Sequence, residues 1–262
     1  TNFVAGFLIL VMIFAAAGGY AVPVIAGFMD GFPAQSDEGL LPGDRILSVD
    51  GHKVYVYADI STYFAASNGK TMDLVIERGG KTLIRNHFPL TLREYVVDGQ
   101  TVQKYGLYFG TETATAGGVL KQSWNTCWYF TRAVWSGLKM LVTGQVSLND
   151  MSGPVGIVSY VGQAGNQGQS AGGIWAGMQN VFYVIALIAV NLAIMNMLPI
   201  PALDGGRIFF LMIEAIKRKP VSAQAEAQIH NAGFAFLMLL MAVVTVHDIG
   251  RLGVWDKLMS LF

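Results

Sequence analysis

Residues 175–198 contain no charged side chain, and the run closes on Asn196-Met197-Leu198-Pro199-Ile200-Pro201-Ala202-Leu203-Asp204-Gly205-Gly206, where two prolines and a carboxylate follow directly. Its length meets the roughly 20 apolar residues that a helix needs to cross a bilayer core. In lipid every backbone polar group must find its partner within the protein, so the run predicts a helix and the prolines predict where it ends. Asp204 then lies at or just inside one membrane face. An ionised carboxylate there is costly unless it is protonated, paired or bound to a cation. Two readings are open: a wet Asp-Gly turn in the interface, or a broken helix whose freed backbone lines a pocket where Asp204 coordinates a cation.

Composition points the same way. Hydrophobic residues make up 53% and charged residues 13%, with a mean hydropathy of +0.47, beyond the balance of an ordinary soluble domain. The 17 basic and 17 acidic side chains cancel, which removes the electrostatic case for nucleic acid. A single cysteine, Cys127, excludes an internal disulfide and predicts a packed thiol.

Apolar runs bracket one polar block. Residues 3–25 are charge-free and carry Gly18-Gly19 and Pro23, predicting a transmembrane helix that loosens at its far end. Residues 232–246 form a last, short run that becomes a span with its flanks included. Residues 124–142 mix Trp124, Trp128, Tyr129 and Trp135 with Arg132 and Lys139, which predicts a helix lying on or dipping into the interface, with a further span as the alternative. The Gly/Gln/Ser-rich residues 162–173 predict a flexible connection. Lys217-Arg218-Lys219 places its loop in the cytoplasm by the positive-inside tendency. Working outward, the polar block is then extracytoplasmic.

Within that block, Gly39-Leu40-Leu41-Pro42-Gly43-Asp44-Arg45-Ile46-Leu47-Ser48-Val49-Asp50-Gly51 reads as a turn, a strand and an Asp-Gly turn. Residues 71–81 alternate and turn like a hairpin, and residues 57–67 read as a helix. The string GLLPGDRILSVDG resembles the GLxxGDxIxxVNG string of PDZ domains, which bind an extended peptide along a strand edge. A β-domain that merely covers the membrane domain is the alternative.

The string NMLPIPALDGG resembles the NxxPxPxLDGG signature of the site-2 proteases, intramembrane zinc metalloproteases, and most closely those of the bacterial RseP type. Met151-Ser152-Gly153-Pro154-Val155-Gly156-Ile157 resembles the SGPVGI segment that precedes the signature helix in that family. The resemblance implies a polytopic α-helical membrane protein with an inserted extracytoplasmic PDZ-like α+β domain. The implied segments are a transmembrane helix over 1–28, the PDZ-like domain over 29–122, an interfacial helix and loop over 123–173, and a membrane domain over 174–262. It also implies Zn2+ as cofactor, Asp204 as its third protein ligand, and Asn196, Pro199 and Pro201 as substrate-binding residues. Single-span membrane proteins of the bacterial cytoplasmic membrane, anti-sigma factors or remnant signal peptides, are the implied substrates.

One departure is large. The family's other zinc ligands and its base lie in an HExxH helix, whose spacing puts two imidazoles and a carboxylate on one side of the metal. His52, His87, His230 and His247 are scattered and none belongs to such a string, so no catalytic residue is expected in this chain. The chain is therefore expected to be a C-terminal portion, inactive in isolation. His230 is weighed as an anchor or cap before a ligand, and Asn191 and Asn231 as helix-packing polar groups. Two other classes compete: a protease-like scaffold that uses its PDZ-like domain for peptide binding without catalysis, and a transporter with a broken ion-binding helix. The absence of an internal repeat weighs against transport.

Overall fold

The computed structural model describes residues 1–33, 35–67, 70–97, 100–145, 154–219 and 222–251. The chain divides into two compact units, one of Thr1–Ile13 with the chain from Phe130 onward, the other of Phe14–Tyr129.

The second unit is built on antiparallel strands: β1 (Gly19–Phe28), β2 (Arg45–Val49), β3 (His52–Lys53), β4 (Met72–Arg78), β5 (Lys81–Phe88), β6 (Arg93–Val97), β7 (Gln100–Lys104) and β8 (Leu107–Thr113), with helix α2 (Tyr57–Ala66) between β3 and β4. The main sheet runs β5-β4-β2-β1-β8, with β3 added to β2, while β6 and β7 pair separately. Met72, Leu74 and Ile76 of β4 alternate inward, the period of two that a half-buried strand shows. They pack with Ile46, Val49 and Ile60 in one core. Gly79-Gly80 (φ 55° and 76°) and Asp50-Gly51 (φ 46° and 78°) supply the left-handed pairs that tight hairpins need.

The GLLPGD turn is locked by a buried ion pair. Asp44 is fully buried. Its Oδ1 accepts from Arg78 Nε at 2.7 Å, and its Oδ2 accepts from Arg78 Nη2 at 2.8 Å and from the Leu41 amide at 2.8 Å. Arg78 also donates to the carbonyls of Asp37 and Gly39. The hydrogen bonds to Asp44 push the Arg78 pKa further up.

The expected helix over 3–25 is corrected here. Helix α1 (Asn2–Ala16) has 15 residues, which fall short of the roughly 20 that span a bilayer. Gly18, at φ 71°, turns the chain into β1, so the sheet begins at Gly19 and not at residue 29. The β-branched residues Val22, Val24 and Ile25 suit a strand. Pro23, which cannot donate to a ladder, lies inside the register shift between Ala21 and Ile25, where a sheet tolerates proline.

The first unit is helical. Helix α3 (Ala116–Val142) runs from one unit into the other, and α4 (Pro154–Asn196), α5 (Asp204–Lys217) and α6 (Ala223–Arg251) follow. Residues Gly172–Asn196 and Glu226–Gly250 are each long and apolar enough to cross a membrane. Residues 162–173, expected as a flexible connection, are helical up to a break at Gly172 (φ −151°) and Gly173 (φ 77°). There the chain folds back into a helical hairpin. The halves approach through glycine: a Cβ on Gly168 would lie 2.5 Å from the Ala176 carbonyl oxygen, and one on Gly177 would lie 2.8 Å from that of Gly165. Such small-residue contacts drive helix pairing where hydrophobic burial does not, so packing overrides the weak intrinsic helicity of the glycines.

Of the SGPVGI segment, Ser152 and Gly153 fall outside the described residues. Gly156 donates its amide to Asp248 Oδ2 at 2.8 Å. Asp248 is fully buried near the end of α6 and so satisfies one of the orphan N–H groups at the start of α4.

Candidate functional site

The site in the helical unit grows out of how α4 ends. After Asn196 the amides of Met197 and Leu198 bond to the carbonyls of Ile194 and Met195 at 3.0 and 3.1 Å, tightening the last turn. Pro199 and Pro201 have no amide to continue the ladder. Ala202 adopts φ 79°, and α5 begins at Asp204.

Gly205 and Gly206 are required by close approach. A Cβ on Gly205 would collide with the Met197 and Leu198 carbonyls, and one on Gly206 with that of Ile200. The chain therefore folds back tightly over the first turn of α5. Asn196 and Asp204, eight positions apart, thereby line one cleft of about 320 Å³ with Thr1, Asn2, Phe3, Ala193 and Met197. A neighbouring cleft of about 390 Å³ shares Phe3, Ala193 and Met197 and adds Thr131, Trp135, Ile194, Leu198 and Pro199.

Asn196, Asp204 and Pro199 are thus brought together around adjoining clefts. Pro201 faces elsewhere, against Gly233 of α6, where a Cβ would meet its carbonyl oxygen at 2.7 Å. Asp204 is exposed. No group of three or more His, Cys, Asp or Glu suited to a metal occurs among the described residues. An open carboxylate on a cleft fits one corner of a zinc site and leaves the others to be supplied from elsewhere.

Sequence reasoning left His230 as an anchor or cap, and the structure gives it a partner. Its Nδ1 accepts from the Ala202 amide at 2.9 Å. The contributions of Thr1, Asn2 and Phe3 carried no local signal, because they reach the cleft only through packing of α1 on α4. There Gly6 lies so close that a Cβ would be 3.0 Å from the Ala186 carbonyl oxygen.

The β unit holds a separate groove of about 860 Å³ between α2 and β8, lined by Tyr57, Ile60, Ser61 and Phe64 on one side and Leu107 to Phe109 on the other. Tyr105 closes one end by donating its hydroxyl to the Phe64 carbonyl at 2.8 Å. Tyr57 and Phe109 meet with ring centroids 5.2 Å apart. Strand β8 ends the sheet order, so its outer edge has no partner strand among the described residues.

The profile of peptidase family M50 matches residues 1–240, and the chain belongs to that family. It is 36% identical over 255 residues to the zinc metalloprotease RasP of Geobacillus kaustophilus, covering 94% of this chain and 56% of that protein. It is 37% identical over 251 residues to the regulator of sigma-W protease RasP of Bacillus subtilis, covering 96% and 57%. The probable protease eep of Enterococcus faecalis is 32% identical over 256 residues, covering 95% and 56%. The chain therefore spans little more than half the length of these relatives. The resemblance read from NMLPIPALDGG is borne out at the level of the family.

Proposed function

We propose that this chain is the zinc-ligand and substrate-docking portion of an intramembrane zinc metalloprotease that cuts single-span membrane proteins, of the anti-sigma factor or remnant signal peptide type. The observation that carries the reading is the shared cleft of Asn196 and Asp204, both within NMLPIPALDGG, in a chain of peptidase family M50. Asp204 is the one zinc ligand this chain contributes, and the remaining ligands and the base come from outside it. When bound, the metal polarises a scissile carbonyl and lowers the pKa of a water toward about 7.

This chain's own residues hold and orient the substrate. Asn196 presents an amide that can both donate to and accept from an extended peptide backbone, while Pro199 and the apolar wall of the adjoining cleft exclude water from it. Pro201 acts on substrate only through the loop it shapes. In the β unit a peptide adds to the free edge of β8 by main-chain hydrogen bonds, with side chains seated against α2. This is the PDZ-like role, with the β unit extracytoplasmic, the Lys217-Arg218-Lys219 loop cytoplasmic and the protein multi-pass in a bacterial cytoplasmic membrane.

The test uses the gene product as encoded, with any coding sequence that precedes Thr1. Asp204→Asn is expected to lose at least tenfold in retained zinc and to abolish cleavage of a single-span reporter, while peptide binding at the β8 groove persists. Wild-type protein that holds no zinc and cleaves nothing, yet binds peptide, establishes the inactive-scaffold reading instead. Robust proteolysis by residues 1–262 alone overturns the expectation that this portion is inactive by itself.

A further inference from the structure

The loop that delivers Asp204 is held in a conformation its sequence does not favour. Ala202 sits at φ 79°, the left-handed region where a Cβ is penalised and glycine is the ordinary occupant. Something must hold it there, because such residues persist only when their surroundings over-determine them. The described structure offers the device. The Ala202 amide donates to His230 Nδ1 at 2.9 Å across 28 positions of sequence. One helical turn further along α6, Gly233 lets Pro201 pack directly on the helix backbone. The imidazole itself is wedged beside Phe210 of α5, with centroids 5.7 Å apart.

We propose that His230 is a positioning residue for the Asp204 carboxylate. Through Nδ1 it pins Ala202 in the left-handed conformation, which fixes the direction in which the chain enters α5 two residues later. The residue acts through the loop and not on the metal, and the proposal rests on Asp204 being a zinc ligand as read above. Since Nδ1 accepts a hydrogen bond, the ring carries its proton on Nε2. Nε2 is buried without a hydrogen-bond partner and lies 3.9 Å from Glu226 Oε1. A ligand role is thereby disfavoured, because Nδ1 is already committed to the Ala202 amide and Nε2 carries the proton.

Three variants of the full gene product test this. His230→Leu removes the acceptor, His230→Asn restores one with Oδ1 near the place of Nδ1, and Ala202→Gly makes the left-handed conformation intrinsically accessible. Zinc retained after a chelator wash is expected to fall tenfold or more in His230→Leu, and to stay within threefold of wild type both in His230→Asn and in the Ala202→Gly/His230→Leu double variant. Side-chain carbon NMR of His230 is expected to show the Nε2–H tautomer with and without metal. Equal losses in His230→Leu and His230→Asn, no rescue by Ala202→Gly, or an Nδ1–H tautomer overturns the proposal. If Asp204→Asn keeps its zinc, the metal-ligand reading falls separately. The pinning of Ala202 is then decided by the tautomer and by whether Ala202→Gly removes the loss in thermal stability caused by His230→Leu.

Discussion

Replacing Asp44 with alanine removes the acceptor for three hydrogen bonds at once, two from Arg78 and one from the Leu41 amide. Arg78 bridges β4 to the turn before β2, so the change strikes the β2–β4 pairing at the centre of the sheet. Breaking a buried pair by deleting one partner costs about 3–5 kcal/mol, because the other charge is left without compensation. Arg78 is 23% exposed in its side chain, so water reaches part of the guanidinium and the lower end, about 3 kcal/mol, is expected. At about 1.4 kcal/mol per factor of ten, that is roughly a hundredfold. The readout is amide hydrogen exchange of Ile46 and Ile76 in the intact chain in detergent, under conditions where exchange reports the opening equilibrium. Their exchange is expected to speed by roughly a hundredfold. Arg45→Ala, which removes an exposed pair to Glu112, is expected to change it by less than about fivefold, because such pairs contribute only about 0–1 kcal/mol. Protection in Asp44→Ala within threefold of wild type would refute the reasoning.

Gly205→Ala drives a methyl into backbone carbonyls that cannot rotate away; it is expected to cost about 1–3 kcal/mol and to lower zinc retention by the gene product at least tenfold, measured by metal analysis after a chelator wash. Asp248→Ala strips the Gly156 amide of its acceptor and is expected to destabilise the helical unit by about 1–3 kcal/mol, read as a lower melting temperature in detergent, with Asp248→Asn milder because its carbonyl oxygen still accepts. Ser61→Trp fills the groove between α2 and β8. It is expected to weaken binding of a peptide selected on the wild-type protein at least tenfold while leaving Ile46 and Ile76 exchange unchanged.

The legible parts of this fold were those whose cause is local. The end of α4 follows from Pro199 and Pro201, α2 follows from its own pattern, and the hairpin from β4 to β5 follows from Gly79-Gly80 between alternating strands. Two readings failed for the opposite reason. Residues 19–25 are apolar enough for a membrane helix, yet Val24 and Ile25 find sheet partners on β2 and β8. Residues 162–173 are rich enough in glycine for a flexible loop, yet those glycines are the contact surface of a helical hairpin. In each case a non-local partner decided between conformations that local composition could not separate.

The same division runs through the site. By itself the sequence determined that a carboxylate closes an apolar run, that the run must end where the prolines stand, and that the string belongs with the site-2 proteases. Those properties depend on residue type and on near neighbours along the chain. Tertiary structure alone decided that Asn196 and Asp204 share a cleft with Phe3, that Pro201 turns away from it onto Gly233, and that Ala202 is held left-handed by His230. Those facts depend on where α1 and α6 pack, and packing is settled by side chains tens to hundreds of positions apart meeting at van der Waals distance, which no local pattern encodes.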